Sequence, residues 1–119
     1  MTDKRIKNLA QILVDHSAKI VPGDRVLIEA TTAAEPLVRE LYAAILSRGG
    51  HPHMQLEFPD QELVFFENAN DSQLDFVPTF RKLAYDEFES RIRIASDTNP
   101  QALTNVDPAK QARRQGLHW

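Results

Sequence analysis

The sequence predicts an α/β fold: a three-layer sandwich around a small, mainly parallel sheet, Rossmann-like but incomplete. Three observations carry this. Apolar residues recur at spacings of three and four through Ile6–Ile20 and again through Leu37–Ile45, which is the helical period. Val26, Leu27 and Ile28 are consecutive and apolar, as suits a strand covered on both faces in a parallel sheet. Strand, helix and strand then follow one another over about thirty residues, the length of one βαβ unit with a right-handed crossover.

Each element has its own signal. Ile6, Leu9, Ala10, Leu13, Ser17 and Ile20 form the buried stripe of the first helix, with Lys4, Lys7, Gln11, Asp15 and Lys19 on the rest of the wheel. Thr2 or Asp3 caps its start, and Val21-Pro22-Gly23-Asp24 stops it and turns the chain. The first strand runs over Arg25–Ala30, and its continuous apolar run predicts the middle place in the sheet. Thr32-Ala33-Ala34-Glu35 has capping-box spacing and Pro36 falls in the first helical turn. Leu37, Val38, Leu41, Ala44, Ile45 and Leu46 then form a second stripe, with Arg39, Glu40 and Arg48 off it, and Gly49-Gly50 closes the helix at a left-handed cap.

The second strand is read at about Pro52–Glu57, within a candidate run from His51. Pro52 weakens a strand interior and belongs at its first residues. Asp60–Asn68 reads as helical, with Leu63 and Phe66 on one side. Asn70-Asp71-Ser72-Gln73 reads as a capped turn with Leu74 and Val77, closed by Pro78. A further short helix over Pro78–Glu89 is expected to use Phe80, Leu83, Ala84 and Phe88. Arg91–Ala95 alternates as the third strand, and its arginines need partners or an open face. Asn99-Pro100 and Asp107-Pro108 each place a capping residue before Pro and so open two short helices, with Gly116 as the stop.

At 119 residues the chain is one domain's worth. It has no cysteine, which excludes disulfides, thiolate metal sites and a Cys nucleophile and fits a cytoplasmic address. A net charge of -3 argues against nucleic acid as a partner, and no apolar run is long enough to span a membrane.

The search for chemistry returns plain readings. The first β-to-α turn, Ala30-Thr31-Thr32-Ala33-Ala34, lacks the glycines of a phosphate-binding loop, so Thr31 and Thr32 read as capping groups, with a small anion at the helix start as the alternative. His51 and His53 are two apart on a strand and share a face, but no third ligand stands at a diagnostic offset. His16 reads as a packing or surface residue and His118 lies in a terminal tail. Glu57, Asp60, Glu62, Glu67, Asp71, Asp75, Asp86, Glu87 and Glu89 share their segment with only Arg81 and Lys82, and read as a solvated acidic face. Ser17, Ser47, Ser72, Ser90 and Ser96 lack a nucleophile-elbow setting. Lys110, Arg113 and Arg114 fall on one helical face, towards water or an acidic partner. Phe58, Phe65, Phe66, Phe76 and Phe80 are more aromatic surface than one small core buries, so some are expected at an intermolecular contact.

The strings Asn8-Leu9-Ala10 with Leu13–Ser17, Val21–Ile28, Ala34–Tyr42, Gly49–His53, Asp71–Phe76, Arg91–Ile94 and Ala102–Lys110, in this order and spacing, resemble the N-terminal region of the thermophilic-type metalloaminopeptidases, over about Lys7–Arg114. The resemblance implies residues 1–114 as the N-terminal α/β domain, a divergent tail over 115–119, and a catalytic C-terminal domain that is absent. It implies a hydrolase that releases N-terminal residues from peptides with two divalent metal ions, of the zinc, cobalt or magnesium type. The family's ligands belong to the C-terminal domain, so no catalytic, cofactor-binding or metal-binding residue is assigned in this chain. The expected partners are the missing catalytic domain, a second copy of the chain and, for the parent enzyme, peptide substrates. Three roles follow: a non-catalytic scaffolding piece of an aminopeptidase, a standalone module binding a small anion at the Ala30–Glu35 turn, or an interaction domain using its acidic face.

Overall fold

A computed structural model describes residues 3–94 and 108–115. The elements are α1 (Lys4–Ile12), β1 (Arg25–Thr31), α2 (Glu35–Ser47), β2 (His51–Glu57), α3 (Gln61–Asn68), α4 (Asp71–Asp75), α5 (Thr79–Glu87), β3 (Ser90–Arg93) and α6 (Pro108–Gln115). They divide into two compact units: α1, β1, α2, β2 and β3 in the first, and α3 to α6 in the second. The sheet has the order β2-β1-β3 and both pairings are parallel, with Arg25 opposite His51 and Val26 opposite Ser90. The predicted α/β class, parallel pairing and central place of β1 all stand.

In the first unit, Val26, Ile28 and Ala30 of β1 and Ile92 of β3 meet Ala10, Val14, Val38, Leu41, Ala44 and Ile45 in one core. Alternation along β1 puts those strand residues on one face, so both helices of this unit cover the same side of the sheet. This unit by itself is therefore two-layered. Asp3, one of the two expected caps, holds the start of α1 by accepting from the Arg5 N–H at 2.8 Å. The helix is shorter than its periodicity suggests. After Ile12 it widens into a π turn over Leu13–Ser17, and the Ala18 N–H bonds the Leu13 carbonyl at 2.9 Å. Lys19 is left-handed at φ 50°, ending the helix before the Val21–Asp24 segment that the sequence marks as the stop. Ile20 is buried as expected, but from beyond the helix, while Leu9 is exposed.

The start of α2 also differs from expectation. Thr32–Ala34 make a single 3-10 turn, and neither Thr31 nor Ala34 provides a side-chain cap. The capping-box reading of Thr32 and Glu35 therefore fails. The helix starts at Glu35 with Pro36 in its first turn, where the missing N–H is harmless. Its other end follows prediction. Gly49 adopts φ 77°, the Gly49 N–H bonds the Leu46 carbonyl at 3.0 Å, and the Gly50 N–H bonds the Ile45 carbonyl at 3.0 Å. These two bonds form a Schellman cap. The Gly49 carbonyl then accepts from the Gly23 N–H at 2.9 Å, joining the turn before β1 to the turn before β2. Arg48 fastens the same end to the first helix, reaching Asp15 at 2.6 Å and Gln11 at 2.6 Å.

In the second unit, Phe66 and Leu74 form a small core with Leu63, Phe65 and Ala69. The Asn70–Gln73 capping box is present, with both reciprocal bonds at 2.9 Å. Asp60 does not begin a helix. It is left-handed at φ 64° and α3 starts at Gln61. The expected stripe on α5 is mostly outside the core: Ala84 is buried, but Phe80 and Leu83 are exposed. Pro108 opens α6 as predicted. Ala95, Asn99-Pro100, Gly116 and His118 lie outside the described residues.

The glycine joint makes a graded prediction. An alanine Cβ at Gly50 would stand 2.9 Å from Ile45 Cγ2 and 3.0 Å from Ile20 Cγ2, inside a packed core. Gly50→Ala is expected to cost about 1–3 kcal/mol in urea unfolding. Gly23 is left-handed with open space around it, so Gly23→Ala costs only the backbone strain, about 1–2 kcal/mol. Gly49→Ala exceeds Gly23→Ala because its Cβ also meets Pro22 at 3.1 Å.

Candidate functional site

The strand register assembles a polar surface on the sheet face opposite the helices. Odd-numbered residues point there: Leu27, Glu29 and Thr31 from β1, His51, His53 and Gln55 from β2, and Arg91 and Arg93 from β3. Glu29 interrupts the apolar run of β1, and its side chain is only 17% exposed. Arg91 Nε lies 2.8 Å from Glu29 Oε1, close enough for an ion pair but not aligned as a hydrogen bond. The Arg91 side chain thus has the partner that the alternating third strand requires.

At the other end of the strands, Arg25 grips the segment leading into β3. Its Nε and Nη2 donate to Glu89 at 3.1 and 3.0 Å, and its Nη1 reaches Glu87 at 3.3 Å. The Arg25 N–H also donates to Glu89 at 2.9 Å. These donors stabilise the carboxylate, and the Glu89 pKa falls to about 2, chiefly through the Arg25 side chain and then its backbone N–H. In the second unit, Arg113 of α6 pairs with Asp75 and, at 3.1 Å, with Asp71 of α4. The Asp75 carboxyl is held below its usual range by the Arg113 guanidinium. The acidic window is therefore not simply a solvated face. Four of its carboxylates are bonded to arginines of the same chain, and Arg113, read from the sequence as facing water or an acidic partner, meets acidic side chains of its own chain.

The histidines share a face, as their spacing predicts. His53 Nδ1 sits 3.1 Å from the His51 carbonyl, and its ring meets Phe88 edge-on with centroids 5.0 Å apart. Both are exposed, and His16 is exposed in the π turn. Among the described residues, no group of three or more His, Asp or Glu side chains could hold a metal ion. Their donor set does not fit a two-metal centre. At the carboxyl end of β1, the Thr31 hydroxyl is buried without a hydrogen-bond partner among the described residues. The Arg25–Glu89 and Arg91–Glu29 contacts lock charges together and hold β3 against β1. Sequence reasoning missed Glu29 and the tie between Arg25 and Glu89. The signal for Glu29 was a carboxylate set inside an apolar strand.

In the second unit, Val64, Phe65, Asn68, Ala69, Gln73, Phe76 and Pro78 line an open, largely apolar groove of about 520 Å³. Phe76 is 62% exposed and Phe80 77%, and in the first unit Phe58 is 51% exposed. Only Phe66 of the five phenylalanines is fully buried, in keeping with the expectation that one chain does not enclose them all.

Comparison with known proteins matches residues 2–118 to the thermophilic metalloprotease (M29) family. Aminopeptidase 2 of Geobacillus stearothermophilus is 27% identical over 115 residues, covering 92% of this chain and 28% of the relative. Wild-type AmpT from Thermus thermophilus superposes with a TM-score of 0.71 at 24% identity, over 94% of this chain and 29% of that one. The chain thus spans less than a third of the length of these relatives. At that identity the second match is a likeness of fold.

The Arg25–Glu89 contact sets an acid dependence. The Glu89 pKa is lowered on folding, so its contribution is present above its unfolded value and is lost as pH falls through the window from about 4.5 to about 2. Urea midpoints measured across this window are expected to fall for the native sequence and to fall less steeply for Glu89→Gln. Equal slopes would show that this contact is not an acid-sensitive tie.

Proposed function

The chain belongs to the thermophilic metalloprotease (M29) family, and from that premise we propose that it is the N-terminal α/β part of a metal-dependent aminopeptidase, itself non-catalytic and serving as scaffold. The observation that carries this is the family match over residues 2–118 together with a relative named for aminopeptidase activity, of which the chain covers 28%. The chemistry of the described residues supports the same division of labour. Glu87, Glu89, Asp71 and Asp75 are bonded to arginines where a metal centre would need carboxylates free to ligate, and among the described residues no group of three or more His, Asp or Glu side chains could hold a metal ion. In this reading the substrates are peptides, the two divalent ions are bound by residues outside this chain, and the exposed phenylalanines of the second unit pack against the remainder of the enzyme. Among the described residues no helix is long and apolar enough to cross a membrane. A cytoplasmic address, in keeping with the cysteine-free sequence, goes with the proposal.

Two measurements test it. Incubated with a leucyl anilide and cobalt, zinc or magnesium, the 119-residue chain is expected to give no turnover above the metal-only control. Turnover that copurifies with the chain would place the active site within it. In a chimera, the chain replaces the matching region of Aminopeptidase 2. A folded chimera that hydrolyses the anilide supports the scaffold role, and a folded but inactive one counts against it.

A further inference from the structure

Among the described residues the sheet ends at β2, whose outer edge has no neighbouring strand. The His51 N–H donates inwards to the Asp24 carbonyl at 2.7 Å, so odd-numbered residues of β2 direct their backbone groups to β1. By alternation, Pro52, Met54 and Leu56 direct theirs to the open edge. Proline lacks an N–H, so its place on that side costs the sheet nothing. The side chains of the same residues lie on the helix-side face, yet Met54 is 48% exposed and Leu56 42%. Pro52 protects only the start of this edge, and Met54 and Leu56, which carry no charge, leave the rest of it open to strand addition.

We propose that this edge pairs with a second copy of the chain, β2 against β2, antiparallel about a two-fold axis at Gln55. The register follows from the residues. With the axis at Gln55, Met54 of one copy faces Leu56 of the other, and their outward N–H and C=O groups exchange bonds in two symmetric sets. An axis at Met54 would instead set Pro52 opposite Leu56 on both sides of the axis and lose two bonds for want of the proline N–H groups. On the helix-side face the chosen register joins the two Met54 and two Leu56 side chains into one apolar cluster. On the opposite face it sets His53 across from Glu57 of the second copy, and Glu57 across from its His53, a complementary pair on each side of the axis. The result is one continuous sheet through both copies. The contact is small, so the dimer is weak, with Kd on the order of 10–100 µM. This pairing stands independently of the aminopeptidase reading.

The absence of cysteine makes the register directly readable, because a single introduced thiol has only the second copy's thiol to meet. Gln55 and its mate form the close, non-hydrogen-bonded pair, with Cα atoms about 4.5 Å apart, within reach of a disulfide. With diamide as oxidant, Gln55→Cys is expected to cross-link at least about tenfold faster than Arg39→Cys on exposed α2. His53→Cys mixed with Glu57→Cys should cross-link, and neither alone. In sedimentation over about 5–500 µM, the native chain should move towards dimer, and Leu56→Lys should weaken association about tenfold or more. An unchanged circular dichroism spectrum and melting temperature would show that Leu56→Lys leaves the fold intact. A chain monomeric throughout, association indifferent to Leu56→Lys, or cross-linking with no preference for Gln55 would each overturn the pairing and leave the edge to a strand of another polypeptide.

Discussion

The backbone of β1 is surrounded by neighbours of the same polarity, β2 on one side and β3 on the other. That placement satisfies its N–H and C=O groups without water, and this permits the side chains Val26 and Ile28 to be fully buried. The helices answer to this strand. Val38, Leu41 and Ile45 of α2, and Ala10 with Val14 from the first helix, share the core that Val26, Ile28 and Ala30 begin. The arginines answer to it as well. Arg25 opens β1 and holds Glu89 just ahead of β3, while Arg91 of β3 reaches back to Glu29 in the middle of β1. A short third strand with one fully buried apolar residue has little hydrophobic hold of its own, so these side-chain ties locate it on the sheet.

The same ties fix the ionisation of the carboxylates they hold. A carboxylate that accepts from two or three donors is stabilised as the anion, and it takes up a proton only at low pH. Glu89 is such a group, and Asp75 is another in the second unit. Groups of this kind hold strands and helices in register but are poor general bases near neutrality. The family to which the chain belongs is described as a thermophilic metalloprotease family.

The parts of the fold that can be read in the sequence are those where one local signal dominates. The apolar run Val26–Ile28 marks a central strand, the pair Gly49-Gly50 marks a helix end, and Asn70 with Gln73 marks a capped turn, and each appears in that form. The departures occur where two signals compete. Thr32 and Glu35 have the spacing of a capping box, but Pro36 lets the helix begin at Glu35 without a hydroxyl cap, and a 3-10 turn takes up the threonine. The stripe Ile6–Ile20 has one period throughout, yet periodicity does not register a π turn, which adds a residue without disturbing which side chains are apolar. Phe80 and Leu83 have helical spacing and stay exposed, because spacing states which residues share a face and not what lies opposite. The charged face was only half legible. Arg91 needed a partner by its position in a strand, but Glu29 becomes that partner only through the parallel register.

The asymmetry of the two sides of β1 has a consequence for the order of folding. β2 returns to β1 after a single helix, and the Schellman cap and the Gly23–Gly49 bond close that loop at its base. β3 arrives only after three further helices, so its pairing requires a much larger loop to close. Local pairing forms first and distant pairing later. As the chain leaves the ribosome, the β1–α2–β2 unit is complete while the far edge of its most apolar strand still lacks Ser90–Arg93. During that interval the sheet edge opposite β2 belongs to β1 in place of β3, and this β1 edge is the more hydrophobic. The late strand, short as it is, therefore acts as the cover that ends the chain's most aggregation-sensitive period.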